Sequence, residues 1–211
     1  MISGSSESEV PIGDLVAATD PLTVDFYNRA ALDVARDCLG KVLVHGTTAG
    51  KIVEVEAYLG TDDLAAHAAR GITDRTRVLF GPPGHAYVYF IYGMYECLNF
   101  VAEPEGQAGC VLIRALEPVS GTAEMQVRRP AARRREDLAA GPGKLTLAMG
   151  ITRKLNGSSL LTGPLQVRSF RAQQPFEIDV TNRIGISRCV DWPLRFLVRG
   201  NRFVSRAKPL A

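Results

Sequence analysis

Lys51-Ile52-Val53-Glu54-Val55-Glu56-Ala57-Tyr58-Leu59 is the stretch that sets the fold class. Polar and apolar residues alternate along it with a period of two, the repeat of an extended strand whose successive side chains leave opposite faces. Val53, Val55 and Ala57 fall on one face, and Glu54, Glu56 and Tyr58 on the other. Residues two apart on a strand emerge about 7 Å from each other. Glu56 and Tyr58 therefore put a carboxylate beside an aromatic ring, the arrangement of a general base under a planar ligand. The same three residues would also make an ordinary solvent-facing row. The spacing shows only that this face is not common core.

Outward from this strand the chain mixes both kinds of element. Lys41–Val44 reads as a strand joined to it through the turn at Gly46–Gly50, and Asp25–Leu39 carries apolar residues near helical spacing up to a stop at Gly40. Thr61 with Asp62 and Asp63 reads as the cap and first turn of a short helix that ends at Gly71. Tyr87–Tyr92 and Tyr95–Val101 flank Gly93 as a hairpin would. Cys110–Leu116 is a further strand, Arg128–Leu138 is helical in part despite Pro130, Lys144–Met149 starts a second helix, and short strands follow around 165–170, 176–180 and 195–198. No internal repeat or interdomain linker interrupts them, so an α+β single domain over 21–211 is expected. The Ser-, Gly- and acid-rich residues 1–20 read as a mobile tail.

Composition narrows the classes. Of 211 residues, 46% are hydrophobic and 22% charged, enough apolar material for a core and too much for a disordered chain, a collagen-like fibre or a coiled coil. The longest nearly unbroken apolar run, Ala86–Tyr95, is half the ~20 residues that span a bilayer. The N-terminus lacks the charge and apolar run of a secretory leader. The expectation is a cytoplasmic protein with no membrane partner. Cys38, Cys97, Cys110 and Cys189 are scattered without a CxxC pair, which points to reduced, buried thiols and no structural metal. The net charge of +3 hides an asymmetry: up to Ile113 there are 7 Lys/Arg against 15 Asp/Glu, and from Arg114 onward 18 against 7. A basic half suits a polyanion, unless the two signs intermingle on folding.

Several residues could carry chemistry. His67 is one of three histidines, either a ligand contact or a satisfied structural residue. Arg114 lies inside an apolar strand and must find a carboxylate such as Glu56, because a buried unpaired charge is too costly. Four of the six tyrosines fall in Tyr87–Tyr95, where they could stack on bases or fill a strand core. Arg128, Arg129, Arg133, Arg134 and Arg135 could bind phosphates or form a solvated face. Gly141-Pro142-Gly143-Lys144 fails the phosphate-loop pattern GxxxxGK[ST], since Leu138 and Leu145 stand at its first and last positions.

Taken together, these stretches resemble the alkyladenine (3-methyladenine, or methylpurine) DNA glycosylases. The matching segments, in family order, are Ile52–Gly60, Ala65-Ala66-His67, Tyr87–Tyr95, Cys97-Leu98-Asn99, Val111–Pro118, Gly141–Leu145 and Leu194–Gly200. The resemblance implies a monofunctional enzyme that flips alkylated or deaminated purines out of duplex DNA and hydrolyses the N-glycosidic bond. It implies a curved, mostly antiparallel sheet with surrounding helices and a protruding β-hairpin, no cofactor, and a monomer, nucleoid-associated if bacterial. Glu56 would be the general base that activates water, and Arg114 and the backbone carbonyl of Val198 would help hold that water. Tyr58, His67 and Tyr89 would sandwich and hydrogen-bond the flipped base, and Asn99 would exclude guanine. Tyr92 would fill the gap in the duplex, with Met94, Arg75, Arg77 and Lys144 as further DNA contacts. Where family members carry Arg-Asn and then Met-Phe, this chain has Arg75-Thr76 and Leu79-Phe80. The competing class is a non-catalytic nucleic-acid-binding module.

Overall fold

The computed structural model describes residues 9–172 and 174–205. Among them nine strands form one open sheet, every pairing antiparallel, with five helices around it. The fold is α+β, as the element pattern predicts. The strands are β1 (Thr19–Pro21), β2 (Val42–His45), β3 (Thr48–Leu59), β4 (Ala86–Ile91), β5 (Tyr95–Val101), β6 (Gly109–Ser120), β7 (Leu165–Phe170), β8 (Ile178–Thr181) and β9 (Arg195–Val198). Their order is β1-β7-β2-β3-β6-β5-β4, and β8 and β9 form a side ribbon in which β9 also pairs with β3. The turn before β3 is tighter than its glycines suggest, because Thr48–Gly50 already belong to the strand.

Two irregularities in the β3–β6 ladder shape the centre of the molecule. Ile52 faces Leu116 and Glu54 faces Ala115, so Val53 has no partner; Val55 then faces Ile113, so Arg114 has none. A bulged residue is freed from the ladder and its side chain is re-aimed. The simple alternation fails here. Ile52, Val55 and Ala57 share the main core, whereas Val53 packs with Ala115 and Phe203 in a separate cluster.

The helical stretch expected over 25–39 is two helices, α2 (Val24–Tyr27) and α3 (Ala31–Cys38). Glu103 intervenes: its N–H donates to the Tyr27 and Arg29 carbonyls, and its carboxylate accepts the Ala31 N–H that begins α3. α3 then buries Ala31, Val34, Ala35 and Cys38, a stripe at helical spacing, against β3. The partial helix expected within 128–138 is mostly displaced toward the N-terminus. α4 spans Thr122–Arg128, and only one 3-10 turn, Arg135–Asp137, follows before α5 (Pro142–Met149).

The N-terminal tail expectation fails for its described part. Ile12–Ala17 is a helix, α1, whose Leu15 is buried with Val42, Val44 and Ala49, and Thr19–Pro21 pairs with β7. Three consecutive hydrogen bonds from Arg168, to the Thr19 hydroxyl and to the Val16 and Thr19 carbonyls, fasten this segment. Residues 1–8 lie outside the described residues.

β4 and β5 form the expected hairpin at the sheet edge. Its turn has Tyr92 (φ 54°) and Gly93 (φ 68°) in the left-handed region, with the Met94 N–H donating to the Ile91 carbonyl. Mirror-image turns of this type match the right-handed twist of the strands. Tyr92 and Met94 stand out at the tip, 76% and 64% exposed. The hairpin root rests on α5: a Cβ at Gly143 would lie 2.7 Å from the Tyr95 ring, and the Thr146 hydroxyl donates to the Glu96 carbonyl at 2.9 Å. No helix among the described residues is long and apolar enough to cross a membrane.

Candidate active site

The polar face of β3 is neither a solvated row nor core. Glu54 and Glu56 are fully buried, and the guanidinium of the bulged Arg114 lies between them. Arg114 Nε donates to Glu54 Oε1 at 2.9 Å, and its Nη1 lies 3.1 Å from Glu56 Oε1. Arg195, opposite Glu56 on β9, donates from Nε to Glu54 Oε1 at 2.8 Å. The Ser205 hydroxyl and N–H complete the shell of Glu54 at 2.8 and 2.6 Å. Glu56 is held more lightly. Its Oε1 also accepts the Ile184 N–H at 2.8 Å, and its Oε2 accepts the Tyr58 hydroxyl at 3.0 Å.

These shells set opposite acidities. Burial raises the Glu54 carboxyl, but Arg114, Arg195 and the Ser205 N–H outweigh it and hold the group below the ordinary glutamate range. Burial also raises Glu56, and there Arg114, Ile184 and Tyr58 do not fully compensate, so it stays above that range. A raised carboxyl in a buried, structured setting is the pattern of a proton acceptor.

Next to Glu56 is an aromatic hollow of about 120 Å³. Its walls include Tyr58, His67, Tyr87, Tyr89, Asn99, Leu79, Cys110, Gly185 and Ile186. Glu56 does not line it directly; it is joined to the walls through the Tyr58 hydroxyl and through Ile184, which precedes Gly185 and Ile186. The volume is small beside the about 300–1,000 Å³ usual for drug-sized ligands. It suits one flat ring system. A more open hollow of about 710 Å³ by Phe26, Arg36 and Phe176 lacks any such convergence, and its Arg29 and Asp37 pair with each other.

The walls brace one another. His67 Nδ1 lies 2.9 Å from the Tyr87 hydroxyl, and its ring meets that of Tyr89 edge-on at 4.6 Å. Burial, then the Arg75 and Arg70 charges, push the imidazole down to about 4, so it is neutral at pH 7. Asn99 donates from Nδ2 to the Tyr87 carbonyl at 3.2 Å. Arg75 lies over the Tyr89 ring at 5.1 Å. Behind Tyr58, the Arg183 guanidinium sits 4.6 Å from the ring centre; it donates to the Ala57 carbonyl and forms a fully buried bidentate pair with Asp63. Asp63 also accepts the Leu59 and Ala65 N–H groups, so it is a buried anchor and not the first-turn acid of a helix. The segment expected to be that helix is two 3-10 turns, Gly60–Asp62 and His67–Arg70.

The structure thus gathers Tyr58, His67, Tyr89 and Asn99 around one hollow, with Glu56 joined to it through Tyr58 and Arg114 paired to Glu56. Tyr92 and Met94 stand at the hairpin tip, and the exposed Lys144 at the start of α5, near the hairpin root. Arg75 is at the rim, whereas Arg77 is turned to Asp74. Val198 is not part of the cluster. In the β3–β9 register Arg195 faces Glu56, and Val198 lies three residues further along. Its carbonyl accepts the Asn201 N–H and its side chain borders a different hollow, with Lys51 and Phe170. Ile184, in a loop without periodicity, is the residue whose backbone reaches Glu56, through its N–H. Tyr87, Asp63, Arg183 and the buried role of Glu54 also escaped sequence reasoning. Only the position of Tyr87, two before Tyr89 on the same strand face, could have signalled one of them.

The Arg-rich run is largely committed to structure. Arg128 bonds Glu124 and the Ala148 carbonyl, Arg129 the Asp137 carbonyl, Arg134 the Asp137 carboxylate and Arg135 the Pro118 carbonyl. Of the departures from the family pattern, Thr76 ties its own loop to Gly71 and Thr73, and Leu79 lines the hollow. The four thiols are free, with Cys38, Cys97 and Cys110 buried and Cys189 partly exposed. Among the described residues no group of three or more His, Cys, Asp or Glu could hold a metal ion.

Comparison with known proteins agrees with this geometry. Residues 25–202 match the family model described as "Methylpurine-DNA glycosylase (MPG)". A protein of Methanoculleus marisnigri is 55% identical over 194 residues, 88% of this chain and 98% of its own. Others from Methanocella arvoryzae (48% over 193 residues, 88% and 96%) and Koribacter versatilis (46% over 202 residues, 90% and 95%) are similar along nearly their whole length. All three bear the name "Putative 3-methyladenine DNA glycosylase". A match across most of the chain, over a sheet that joins a buried carboxylate to an aromatic hollow, has one reading: the chain belongs to the methylpurine-DNA glycosylase family.

Proposed function

We propose that this protein is a monofunctional DNA glycosylase that takes alkylated or deaminated purines from duplex DNA and hydrolyses their N-glycosidic bond, with Glu56 as general base. The observation that carries it is the buried Glu56 carboxylate set beside a base-sized aromatic hollow.

A base inside a duplex is out of reach, so the nucleotide must be extruded at a cost of a few kcal/mol. Tyr92, held out at the hairpin tip, offsets part of that cost by occupying the vacated stack. In the hollow the base lies against Tyr58 and Tyr89, whose π faces favour a ring already made cationic by 3- or 7-alkylation. His67, neutral at pH 7, offers hydrogen bonds and adds no competing charge. Asn99 is held by the Tyr87 carbonyl, which fixes where its amide excludes a guanine amino group.

Bond cleavage proceeds through an oxocarbenium-like sugar. The glycosidic electron pair leaves with the base, which neutralises an alkylated purine cation, whereas a deaminated purine also takes up a proton from solvent as it departs; water adds to C1′, and Glu56 takes the water's proton, as in inverting sugar hydrolysis. Glu56 Oε2 accepts one hydrogen bond, from Tyr58, and a carboxylate oxygen can accept two. The products are free base and an intact strand with an abasic site.

Base release from methylated DNA and from a hypoxanthine-containing duplex, with wild type and Glu56→Gln side by side, tests this. Release by wild type and loss of about 10²–10⁴-fold in the variant is expected. Equal release by both removes Glu56 from the reaction, and DNA binding without release from either substrate favours a non-catalytic damage reader.

A further inference from the structure

Glu54 is the better-satisfied of the two buried carboxylates, and it is not among the residues that line the aromatic hollow. It receives Arg114, Arg195 and both donors of Ser205, and Arg114 spans from it to Glu56. The guanidinium is thus divided. Its Nε is committed to Glu54, and one Nη reaches Glu56. Arg114 is also the bulged residue of β6, so the ladder does not fix its direction and the two carboxylates must.

We propose that Glu54 is a positioning residue: by holding the Nε side of Arg114 it sets how much of that cation Glu56 receives, and so keeps Glu56 basic enough to accept a proton from water. The inference rests on Glu56 being the general base. With Glu54 neutral, Arg114 would turn wholly to Glu56 and bind it as a tight, inert ion pair. With Arg195 neutral, Glu54 would draw Arg114 more strongly and leave Glu56 less compensated. The charged and titratable groups around Glu56 are Glu54 and Tyr58 on its own strand, Arg114 on β6, Arg195 on β9, Cys97 on β5, and Arg183 ahead of the covering loop. Only Arg114 among them touches both carboxylates.

The test is the pH profile of single-turnover base release on methylated DNA for wild type, Glu54→Gln, Glu54→Asp and Arg195→Gln, with thermal melts to confirm folding. Wild type should lose rate as Glu56 is protonated on the acid side, and this limb should vanish into the background of Glu56→Gln. Glu54→Gln should move the limb to lower pH by about one unit and lower the plateau. Arg195→Gln should move it to higher pH. Glu54→Asp, which keeps the charge, should restore the wild-type position. If Glu54→Gln does not fold, the upward shift in Arg195→Gln decides alone. An unmoved limb in the folded variants, with only lower melting temperatures, makes Glu54 merely structural and overturns the inference. A wild-type profile with no Glu56-dependent limb overturns the general-base reading first, and this inference with it.

Discussion

Glu54 and Glu56 differ by two positions on one strand and share one arginine, yet their acidities diverge because of the other donors each receives. With Glu56 as the proposed general base, activity should fall on the acid side at a pH above the ordinary glutamate range, because that role needs the carboxylate form; rates between pH 4 and 8 read this directly. His67 carries a second pH dependence, of stability. Its folded value of about 4 lies below the ordinary 6.5, so the unfolded chain takes up a proton that the folded chain refuses. That stabilisation is complete above 6.5 and is lost as pH falls toward 4. Melts of wild type and His67→Gln across this range should show the shallower decline in the variant. Of this site, period-two spacing sufficed to set Glu54, Glu56 and Tyr58 on one face. It could not say what covered that face, because Ile184, Arg195 and Ser205 arrive from 128 to 151 residues away.

Among the elements, regular patterns were readable and their interruptions were not. β7 and β9 span the stretches that their apolar alternation marks, and the hairpin follows from tyrosine-rich strands about a glycine. The bulges at Val53 and Arg114 leave no mark in a local pattern, since each exists only in the pairing of two strands. The loop after β8 is similar. Its place beside Tyr58 depends on Arg183 and Asp63, 120 residues apart. Removing one partner of a buried pair leaves an uncompensated charge, so Asp63→Asn should cost about 3–5 kcal/mol in denaturant unfolding. It should also reduce base release beyond that loss of folded protein, because the Ile184 N–H and the wall at Gly185 and Ile186 would lose their anchor. Full single-turnover activity in the fraction that remains folded would make the loop self-supporting.

For the molecule as a whole, a share of the charges of the acidic first half and basic second half pair with each other. Glu54 with Arg114 and Arg195, Asp63 with Arg183, Asp20 with Arg171 and Glu96 with Arg153 all join the two. The sequence asymmetry thus overstates the free basic surface. Under the proposed function, DNA contact falls to fewer groups, Lys144, Arg75 and the hairpin tip among them. Tyr92 is 76% exposed, so Tyr92→Ala should change stability by no more than about 0.5 kcal/mol while weakening excision from duplex DNA. A melt beside an excision assay separates the two. Lys144→Ala should lower the slope of log affinity against log salt by about one, if this lysine meets a phosphate.

The shell of the two central glutamates is drawn from residues 58, 114, 184, 195 and 205. During synthesis the carboxylates leave the ribosome long before most of their partners. Until Arg195 and Ser205 follow, Glu54 lacks three of its four hydrogen-bond donors. A chain cut before residue 195 therefore leaves Glu54 with Arg114 alone among these donors, and it should melt at a lower temperature than the full chain.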